Sequence, residues 1–320
     1  MTKITAIIQG PVTSNGRTFR TSGIGEAKKS ANESDLIVNF DSSSTILENV
    51  RRLREHGVQV IYSGWIGDCS SALKGEIERA GAKVILSDGN NAPSFVEKNS
   101  PFGGVLSINN KSKQFYSILK GLELIDNLSE HTVIKIRSDI LFNLDQLLLE
   151  IKRSEKQIFN GALILQYLKS DDSLRESSGE PDLWIPDFLF VGRGDVLHYI
   201  AKDLVNRSLS DKSYNDSPHV DLGNAILRYH WSFFPTLKKR DEPLKALIKK
   251  FKFLSVIQEL LGRCAKYILG RKMVSLYQNG QLIAAPKEIQ RSIVWRGDSF
   301  GENLRNNPEI EKGFIYGNHN

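Results

Sequence analysis

Residues 58–88 read VQVIYSGWIGDCSSALKGEIERAGAKVILSD, and this stretch decides the fold. It opens with an apolar run rich in β-branched residues (58–65), which is typical of a buried strand. A helical pattern follows and ends at a glycine (69–81), and a second apolar run closes the stretch (82–88). Strand, helix and strand at this spacing form a βαβ unit, whose strands are parallel and whose crossover is right-handed. We therefore predict a mainly parallel sheet.

The residues on the N-terminal side repeat this pattern. Residues 3–8 (KITAII) predict a buried first strand, which Gly10 and Pro11 end. Residues 44–56 (STILENVRRLREH) place apolar side chains on one helical face, and Gly57 ends that helix. Strand, helix, strand, helix and strand thus follow one another, so the first third of the chain is predicted to be a Rossmann-like half.

The following residues extend the same sheet. We predict a helix from about 112 to 128 and a central strand within 131–142 (HTVIKIRSDILF). Apolar runs at 162–168 and 183–192 predict two further strands, and a helix is expected near 195–205. The fold class predicted from these elements is α/β, with a Rossmann-like, mainly parallel sheet flanked by helices.

The composition is that of an ordinary globular protein. Of the 320 residues, 40% are hydrophobic and 25% are charged, which argues against disorder, collagen and coiled coil. Cys69 and Cys264 lie far apart and form no CxxC pattern, which favours a reducing compartment. The N-terminal apolar run is too short for a signal peptide, and no stretch approaches the roughly 18 apolar residues that span a bilayer. We therefore expect a cytoplasmic protein.

Positive charge is concentrated in one C-terminal segment. The net charge is +6, and residues 236–272 hold eleven basic and three acidic residues, so the rest of the chain is slightly acidic. Within this segment, residues 243–272 place an apolar stripe beside a lysine-rich face, the pattern of a helix that lies on an anionic membrane surface. The alternative is a helix that packs on the rest of the protein with a solvated basic face. The charge distribution argues against nucleic-acid binding.

Four predicted strands end in polar residues, and ligands of such sheets bind beyond the carboxyl ends of the strands. These ends are Gln9-Gly10-Pro11, Ser63-Gly64-Trp65, Ser87-Asp88-Gly89 and Arg137-Ser138-Asp139. Glycine and proline after the first strand suit a tight turn that brings the backbone close to a nucleotide, although a plain strand-to-helix turn has the same composition. Trp65 is a candidate for stacking on a base or a sugar.

Residues 135–139 (KIRSD) are the strongest local signal. Alternation along a strand places Lys135, Arg137 and Asp139 on one face. Two cations and a carboxylate at a strand end suit a diphosphate and its divalent cation, Mg²⁺ or Mn²⁺, with Asp139 as the metal ligand. A single carboxylate is a poor metal site, however, and an Arg–Asp surface pair at a strand edge is the alternative interpretation.

Two acidic residues are candidates for a general base. Asp187 lies between two apolar runs (WIPDFLFVG), and Asp221 precedes a helix-like run (SPHVDLGNAI). A base that accepts a hydroxyl proton needs a pKa raised toward the working pH, as partial desolvation provides. The alternatives are a buried structural acid at Asp187 and a helix cap at Asp221. The sequence contains no GxxxxGKS, GxGxxG or GxSxG motif, so ATP hydrolysis, dinucleotide binding and serine hydrolysis lack support.

Five of these elements, in this order, resemble the WavE-type lipopolysaccharide-synthesis family of glycosyltransferases. They are IIQGPV (7–12), YSGW (62–65), NKSKQFYSILKGLEL (110–124), KIRSD (135–139) and DFLFVG (187–192). The resemblance implies a GT-A-like fold and the transfer of a sugar from a nucleotide-sugar donor. It also implies an acceptor in lipopolysaccharide, capsule or another surface glycan, including a lipid-linked glycan, at the cytoplasmic face of the membrane.

The resemblance assigns roles to residues at the matching positions. The donor-binding residues it implies are Gln9, Gly10, Pro11, Trp65, Asp88, Lys113, Gln114, Lys135 and Arg137. Arg137 would neutralise the leaving phosphate, Asp139 would hold a cation or the ribose, and Asp221 looks like the acid that supplies the base. This chain has Lys113-Gln114 where the family usually has Arg-Gln, and only Asp88 of an acidic pair. Because Asp139 is the one acid of KIRSD, metal dependence stays open.

The domain division that we expect follows from this resemblance. Residues 1–235 would form the catalytic domain, with a donor-binding half (1–140) and an acceptor half (141–235), and residues 236–320 would form a basic helical region. Two other functions remain as alternatives. One is a sugar nucleotidyltransferase, for which Gly16-Arg17 is a weak triphosphate-loop candidate, and the other is a non-catalytic sugar-nucleotide-binding protein of polysaccharide assembly.

Overall fold

The structure is a computed structural model, and it describes nine parts of the chain. They are residues 3–16, 38–89, 95–96, 108–109, 111–166, 185, 187–210, 218–231 and 268–299. The predicted membrane-surface segment at 243–272 lies outside the described residues except for its last five, and so does Arg17 of the triphosphate-loop candidate.

The first half of the chain alternates strands and helices as predicted. Its elements are β1 (Lys3–Gln9), β2 (Thr13–Gly16), β3 (Val38–Asp41), α1 (Ser43–Glu55), β4 (Gln59–Trp65), α2 (Ser71–Arg79), β5 (Ala82–Ser87), β6 (Phe95–Val96), β7 (Ile108–Asn109) and α3 (Lys111–Leu122). The helix predicted for 112–128 ends at Leu122, and a short 3₁₀ turn at Leu128–Glu130 precedes the next strand.

The second half completes the sheet and adds helices. Its elements are β8 (His131–Arg137), β9 (Ile140–Leu141), α4 (Leu144–Arg153), α5 (Glu155–Phe159), β10 (Leu163–Leu165), β11 (Leu189–Arg193), α6 (Gly194–Ser210), α7 (Pro218–His230), α8 (268–278), β12 (Leu282–Ala284), α9 (Lys287–Arg291), β13 (Val294–Trp295) and β14 (Asp298–Ser299). Both strands predicted at 162–168 and 183–192 are present in shorter form.

Seven strands form the central sheet, in the order β12-β10-β11-β8-β1-β4-β5. The pairs β4–β5, β1–β4, β1–β8 and β10–β12 are parallel, while β11 runs antiparallel to both of its neighbours. The prediction of a mainly parallel α/β sheet flanked by helices is confirmed. Strand β8, which carries KIRSD at its end, lies in the middle of this sheet.

The two faces of the sheet pack against different helices, because successive side chains of a strand point to opposite faces. On one face, Ile134 and Ile136 of β8 lie in a core with the apolar sides of α1, α2 and α4. On the other, Val133 of β8 and Ile7 of β1 lie in a core with α3, α6 and α7. With both faces covered, the sheet leaves its edges and the ends of its strands for ligands.

Residues on both sides of the predicted domain boundary at 235/236 share this sheet. Strand β12 pairs with β10 in the central sheet, while β13 pairs with β14 and with β9, directly after the KIRSD stretch, in a separate three-stranded sheet. Helix α8 buries Leu269, Met273 and Leu276, whereas Ile268 is half exposed. The three strands were not part of the sequence-based expectation of a helical C-terminal region. In the described parts of the chain, no helix combines the length and apolar character that crossing a bilayer requires.

Candidate functional site

The carboxyl ends of β1, β4, β5 and β8 meet along one side of the sheet, which we call the carboxyl edge. Helix α3 starts beside it. The Ser117 hydroxyl donates to the carbonyl of Ser63 at 2.9 Å, and Tyr116 stacks on Trp65 with ring centroids 6.5 Å apart. The ammonium of Lys113 lies near Gly89, 3.9 Å from where a Cβ on that glycine would be. Helix α3 therefore contacts the ends of β4 and β5, where predicted donor-binding residues lie.

Gly10 brings the loops that follow β1 and β8 into direct contact. Its φ is 138°, and a Cβ at this position would lie 2.4 Å from the hydroxyl oxygen of Ser138. Only glycine adopts this conformation readily and leaves space for the serine. The Ser138 backbone amide donates to the Gln9 carbonyl at 2.8 Å, and its hydroxyl donates to the Pro11 carbonyl at 2.8 Å. These hydrogen bonds fix KIRSD against the end of β1.

The loop amides after Pro11 are already hydrogen-bonded to a side chain. The backbone amides of Val12 and Thr13 donate to the Asp68 carboxylate at 2.5 and 3.1 Å. A negatively charged acceptor therefore occupies the place where a phosphate-binding loop would present its N–H groups. An anion at this edge would therefore meet side chains rather than these two backbone amides.

Arg137 is held between two carboxylates and two aromatic rings at the end of β8. Its guanidinium donates to both oxygens of Asp139, at 2.9 and 2.7 Å, and lies 3.6 Å from the Asp187 carboxylate. It also lies over the ring of Phe188 at 4.9 Å and near that of Trp295 at 5.6 Å. The Arg137 side chain is 20% exposed, so this cation is orientated by its neighbours and still reaches solvent.

Asp139 is almost completely buried and accepts hydrogen bonds from four side chains. The donors are Arg137, Ser14 at 2.9 Å, the Trp295 indole at 3.1 Å and the Arg296 guanidinium at 3.0 Å. Burial alone raises the pKa of Asp139, but Arg137, Arg296 and Ser14 outweigh it and hold that pKa below its usual value. Strand β8 ends at Arg137, so the turn after it, rather than strand alternation, brings Asp139 to Arg137.

This donor set does not suit the predicted metal role of Asp139. A cation bound there would have to displace two guanidinium groups from a carboxylate whose oxygens already have partners. Within the described ranges, no group of three His, Cys, Asp or Glu side chains could hold a metal ion. No catalytic step is therefore assigned to a metal, and the metal role stays a prediction.

Lys135 lies two residues before the end of β8 and is fully buried, at 0% exposure. Its ammonium donates to the backbone carbonyl of Asp187 and lies 5.3 Å from the centre of the Phe190 ring. Desolvation lowers the pKa of Lys135 to about 7, against the opposing effect of the Asp187 carboxylate. This lysine therefore changes its charge near neutral pH, where a bound anion would favour its protonated form.

Asp187 joins Lys135, Arg137 and Asp139 in one group, which we call the Arg137 cluster. Its carboxylate is buried and accepts a hydrogen bond from the Gln114 amide of α3. The residue itself precedes β11, whose register with β8 places Leu189 opposite Ile136. The predicted base candidate Asp187 thus lies beside the predicted leaving-group residue Arg137.

The other base candidate lies on a different element. Asp221 is buried in the first turn of α7, which packs against α6. Asp221 therefore lies within the helix rather than at the cap position that the sequence offered as the alternative, and its role as a base stays a prediction. Asp88 follows β5 at partial exposure, beside the Gly89 that Lys113 approaches.

Gln9 presents a buried polar atom at the carboxyl edge. It lies between Ser63 of β4 and Arg137 of β8 in the sheet register and is 4% exposed. Its side-chain oxygen has no hydrogen-bond partner among the described residues. Because a buried amide oxygen without a partner is costly, this atom is suited to a donor group of a ligand.

Sequence reasoning missed the contribution of the C-terminal hairpin to this site. Trp295 and Arg296 both contact Asp139, from more than 150 residues further along the chain. The hairpin β13–β14 pairs with only two residues of β9, which is too short for a pattern to predict. The one available signal was Arg296-Gly297, a glycine turn directly after the apolar residues 293–295.

Comparison with known proteins gives a likeness in structure but none in sequence. No family model and no curated protein matches it. Among solved structures, it is similar to the apo form of mouse xyloside xylosyltransferase 1, at 9% identity and a TM-score of 0.33, over 72% of this chain and 82% of that one. A likeness this weak carries no argument. The chain itself defines an α/β protein with a Rossmann-like sheet and a buried ionic cluster at the carboxyl edge.

Proposed function

We propose that this chain is a glycosyltransferase that uses a nucleotide-sugar donor. The observation that carries the proposal is the Arg137 cluster, in which an arginine whose side chain is 20% exposed and a buried lysine lie at the carboxyl end of the central strand. Ligands of parallel α/β sheets bind at this edge, and guanidinium groups match phosphate oxygens in geometry and charge. A departing nucleoside phosphate is the leaving group that such a site stabilises.

The remaining residues of the carboxyl edge suit the rest of the donor. The stacked pair of Trp65 and Tyr116 offers an aromatic surface for a base or a sugar ring. The side-chain oxygen of Gln9 offers an acceptor to a ligand N–H or hydroxyl. Lys113 of α3 adds a further cation near Gly89. Catalysis would come mainly from positioning and from charge stabilisation of the leaving group.

Asp187 is the base that the geometry favours. In an inverting transfer, its carboxylate takes the acceptor hydroxyl proton while the new bond to the sugar carbon forms. The bond between that carbon and the phosphate oxygen breaks, and its electron pair stays on the departing phosphate. Arg137 lies 3.6 Å from Asp187 and orients this carboxylate at the carboxyl edge, where the acceptor hydroxyl would approach the sugar carbon on the face opposite the departing phosphate.

The acceptor that we propose is a surface glycan of the lipopolysaccharide or capsule class, carried on a lipid at the cytoplasmic face of the membrane. Support comes from the resemblance of the five sequence elements and from the basic segment at 236–272. An enzyme with a lipid-linked acceptor has to meet it at the membrane surface, where a basic amphipathic helix binds anionic headgroups.

The test of this function is a product assay with a panel of sugar nucleotides. We expect slow hydrolysis of at least one donor without acceptor, with release of the nucleoside phosphate. A nucleotidyltransferase would instead release pyrophosphate from a nucleoside triphosphate and a sugar phosphate. Binding of a sugar nucleotide without any turnover would indicate the non-catalytic alternative, and neither binding nor turnover would refute the proposal.

Replacing Asp187 by asparagine is expected to lower sugar transfer by about 10²-fold or more, since a positioned base contributes about that factor. Donor affinity should not fall, because a base acts on the acceptor and the lost negative charge lies beside the phosphate-binding Arg137. The matched variant is Asp221→Asn, measured for transfer rate and donor Kd in the same assay. If only Asp221→Asn loses transfer, the base is Asp221. Full rates in both variants would exclude both carboxylates and favour a retaining mechanism.

Binding to anionic vesicles is expected if residues 243–272 lie on a membrane. Each cation near an anionic surface contributes roughly 1 kcal/mol, and salt screens this attraction. The measurement is cosedimentation with vesicles of phosphatidylcholine alone or with added phosphatidylglycerol, at low and high salt. Binding that needs the anionic lipid and fades with salt supports the proposal. No binding at low salt would indicate that the helix packs on the protein.

A further inference from the structure

The C-terminal hairpin delivers a second guanidinium to the Arg137 cluster. Strands β13 and β14 are joined by two residues, Arg296 and Gly297, and the Arg296 backbone amide donates to the Asp139 carbonyl at 3.0 Å. The Arg296 side chain is 8% exposed and donates through Nε to the Asp139 carboxylate and to the Ser14 hydroxyl, each at 3.0 Å. Arg137 and Arg296 therefore share one carboxylate oxygen.

Trp295 fixes the two guanidiniums relative to each other. Its ring centre lies 5.6 Å from the Arg137 guanidinium and 5.0 Å from that of Arg296. The same ring packs on Phe188 with centroids 4.7 Å apart. Both cations thus meet one indole as well as one carboxylate, which restricts the orientations that they can adopt.

The backbone of Arg296 is in a conformation that arginine rarely adopts. Its φ is 51°, and Gly297 follows with a φ of 76°. Two-residue hairpin turns with positive φ at both positions favour Asn-Gly, while a long side chain in the left-handed region costs about 1 kcal/mol or more. The strained backbone conformation thus occurs at the residue whose side chain reaches Asp139. A function of the Arg296 guanidinium explains why an arginine occupies this position.

We propose that Arg296 and Arg137 together bind the diphosphate of the donor, and that they occupy the place at Asp139 where the sequence resemblance implies a metal ion. This inference rests on the proposed function for the identity of the ligand. As the bond from the sugar carbon to the phosphate oxygen breaks, the charge on that oxygen is neutralised by the two guanidiniums. The group transfer then needs no divalent cation.

The charges of the site favour an anion over a metal ion. The charges of Asp139 and Asp187 balance those of Arg137 and Arg296. The net charge of the site is therefore near zero when Lys135 is unprotonated and positive when Lys135 is protonated. A divalent cation would be repelled by two fixed guanidiniums. Its only acidic ligand from this turn would be the Asp139 carboxylate, which already accepts hydrogen bonds from both arginines. A diphosphate brings charge of the sign that these guanidiniums attract, and it favours proton uptake by Lys135.

The experiment is a calorimetric titration of the full chain with inorganic pyrophosphate, in EDTA and in excess Mg²⁺ or Mn²⁺. We expect binding in EDTA that the metals do not strengthen. Arg296→Asn should weaken it at least tenfold, because this variant removes the guanidinium and leaves Asn-Gly, the preferred turn sequence. Arg296→Gly serves as a second variant if the asparagine protein unfolds at assay temperature.

The control is Arg193→Asn, which removes the arginine of another Arg–Asp pair. Arg193 binds Asp195 at 2.6 and 2.9 Å, but at the opposite edge of the sheet, because β11 runs antiparallel to β8. This variant should bind pyrophosphate like the wild type. Binding that appears only with metal, equal affinity in the folded Arg296 variants, or no binding at all would overturn the inference. Pyrophosphate binding without turnover of any sugar nucleotide would contradict the proposed function alone.

Discussion

The Arg137→Ala enzyme is expected to transfer sugar about 10²- to 10³-fold more slowly than the wild type. The side chain is the accessible cation of its cluster, and removing one preorganised donor from a developing anion typically costs this much. The measurement is the initial transfer rate, corrected for the folded fraction seen by circular dichroism. The correction matters because the change also leaves Asp139 and Asp187 with fewer partners in a buried place.

Two further variants separate catalysis from stability. Arg137→Lys keeps the charge but loses the paired hydrogen bonds to Asp139, so it should fold more stably than Arg137→Ala and still transfer slowly. Arg193→Ala removes a similarly exposed arginine from an equivalent pair at the other edge of the sheet, and it should transfer at the wild-type rate. Normal transfer by a folded Arg137→Ala enzyme would remove Arg137 from the active site.

Lys135→Met is expected to stabilise the protein while impairing its function. A lysine whose pKa falls from 10.5 to about 7 on burial costs the fold several kcal/mol at neutral pH. Methionine fills the same space without that cost and loses one hydrogen bond to a carbonyl, so a net gain of about 2–4 kcal/mol in unfolding free energy is expected. Donor binding should weaken, because methionine cannot take up a proton and so cannot provide the positive charge that protonated Lys135 would place near the diphosphate.

The pH dependence of this gain has a defined sign. Between about pH 7 and pH 10.5, the unfolded wild type binds a proton at Lys135 that the folded wild type has lost. Wild-type stability from this residue therefore rises with pH across that window, and the advantage of Lys135→Met shrinks. Urea unfolding of both proteins at pH 6.5, 8 and 9.5 measures the difference. Lys83→Met, on an exposed position of β5, controls for the loss of a charge. A constant difference would contradict the buried-lysine account.

The sheet was predictable from sequence because its main strands are marked locally. Apolar runs of β-branched residues produced β1, β4, β5 and β8, and the glycines between them marked the ends of helices. The pairing of Arg137 with Asp139 could also be predicted from KIRSD, since the two residues are neighbours in sequence. What differs is the setting of the pair, because it lies at the carboxyl end of the central strand with a buried carboxylate rather than at a surface edge of the sheet.

The rest of the site depends on contacts between distant parts of the chain. Gln114 and Asp187 were candidates for different reasons, and only the packing of α3 beside the start of β11 shows that they touch. Arg296 reaches Asp139 through two-residue strands, which have too few residues to show a period. The complete burial of Lys135 and its backbone carbonyl partner both required the fold, because the sequence predicted this lysine only as a ligand-facing cation.

The most direct test of the central claim is a calorimetric titration of sugar nucleotides with different bases into the wild type, Arg137→Lys and Arg193→Lys. We predict that at least one sugar nucleotide binds the wild type with a Kd below about 1 mM, within the usual range for enzyme substrates. Arg137→Lys should weaken that binding at least tenfold, and Arg193→Lys should leave it unchanged. Equal affinity in all three proteins, or no binding to the wild type by any sugar nucleotide, would contradict the assignment of the Arg137 cluster as the donor site.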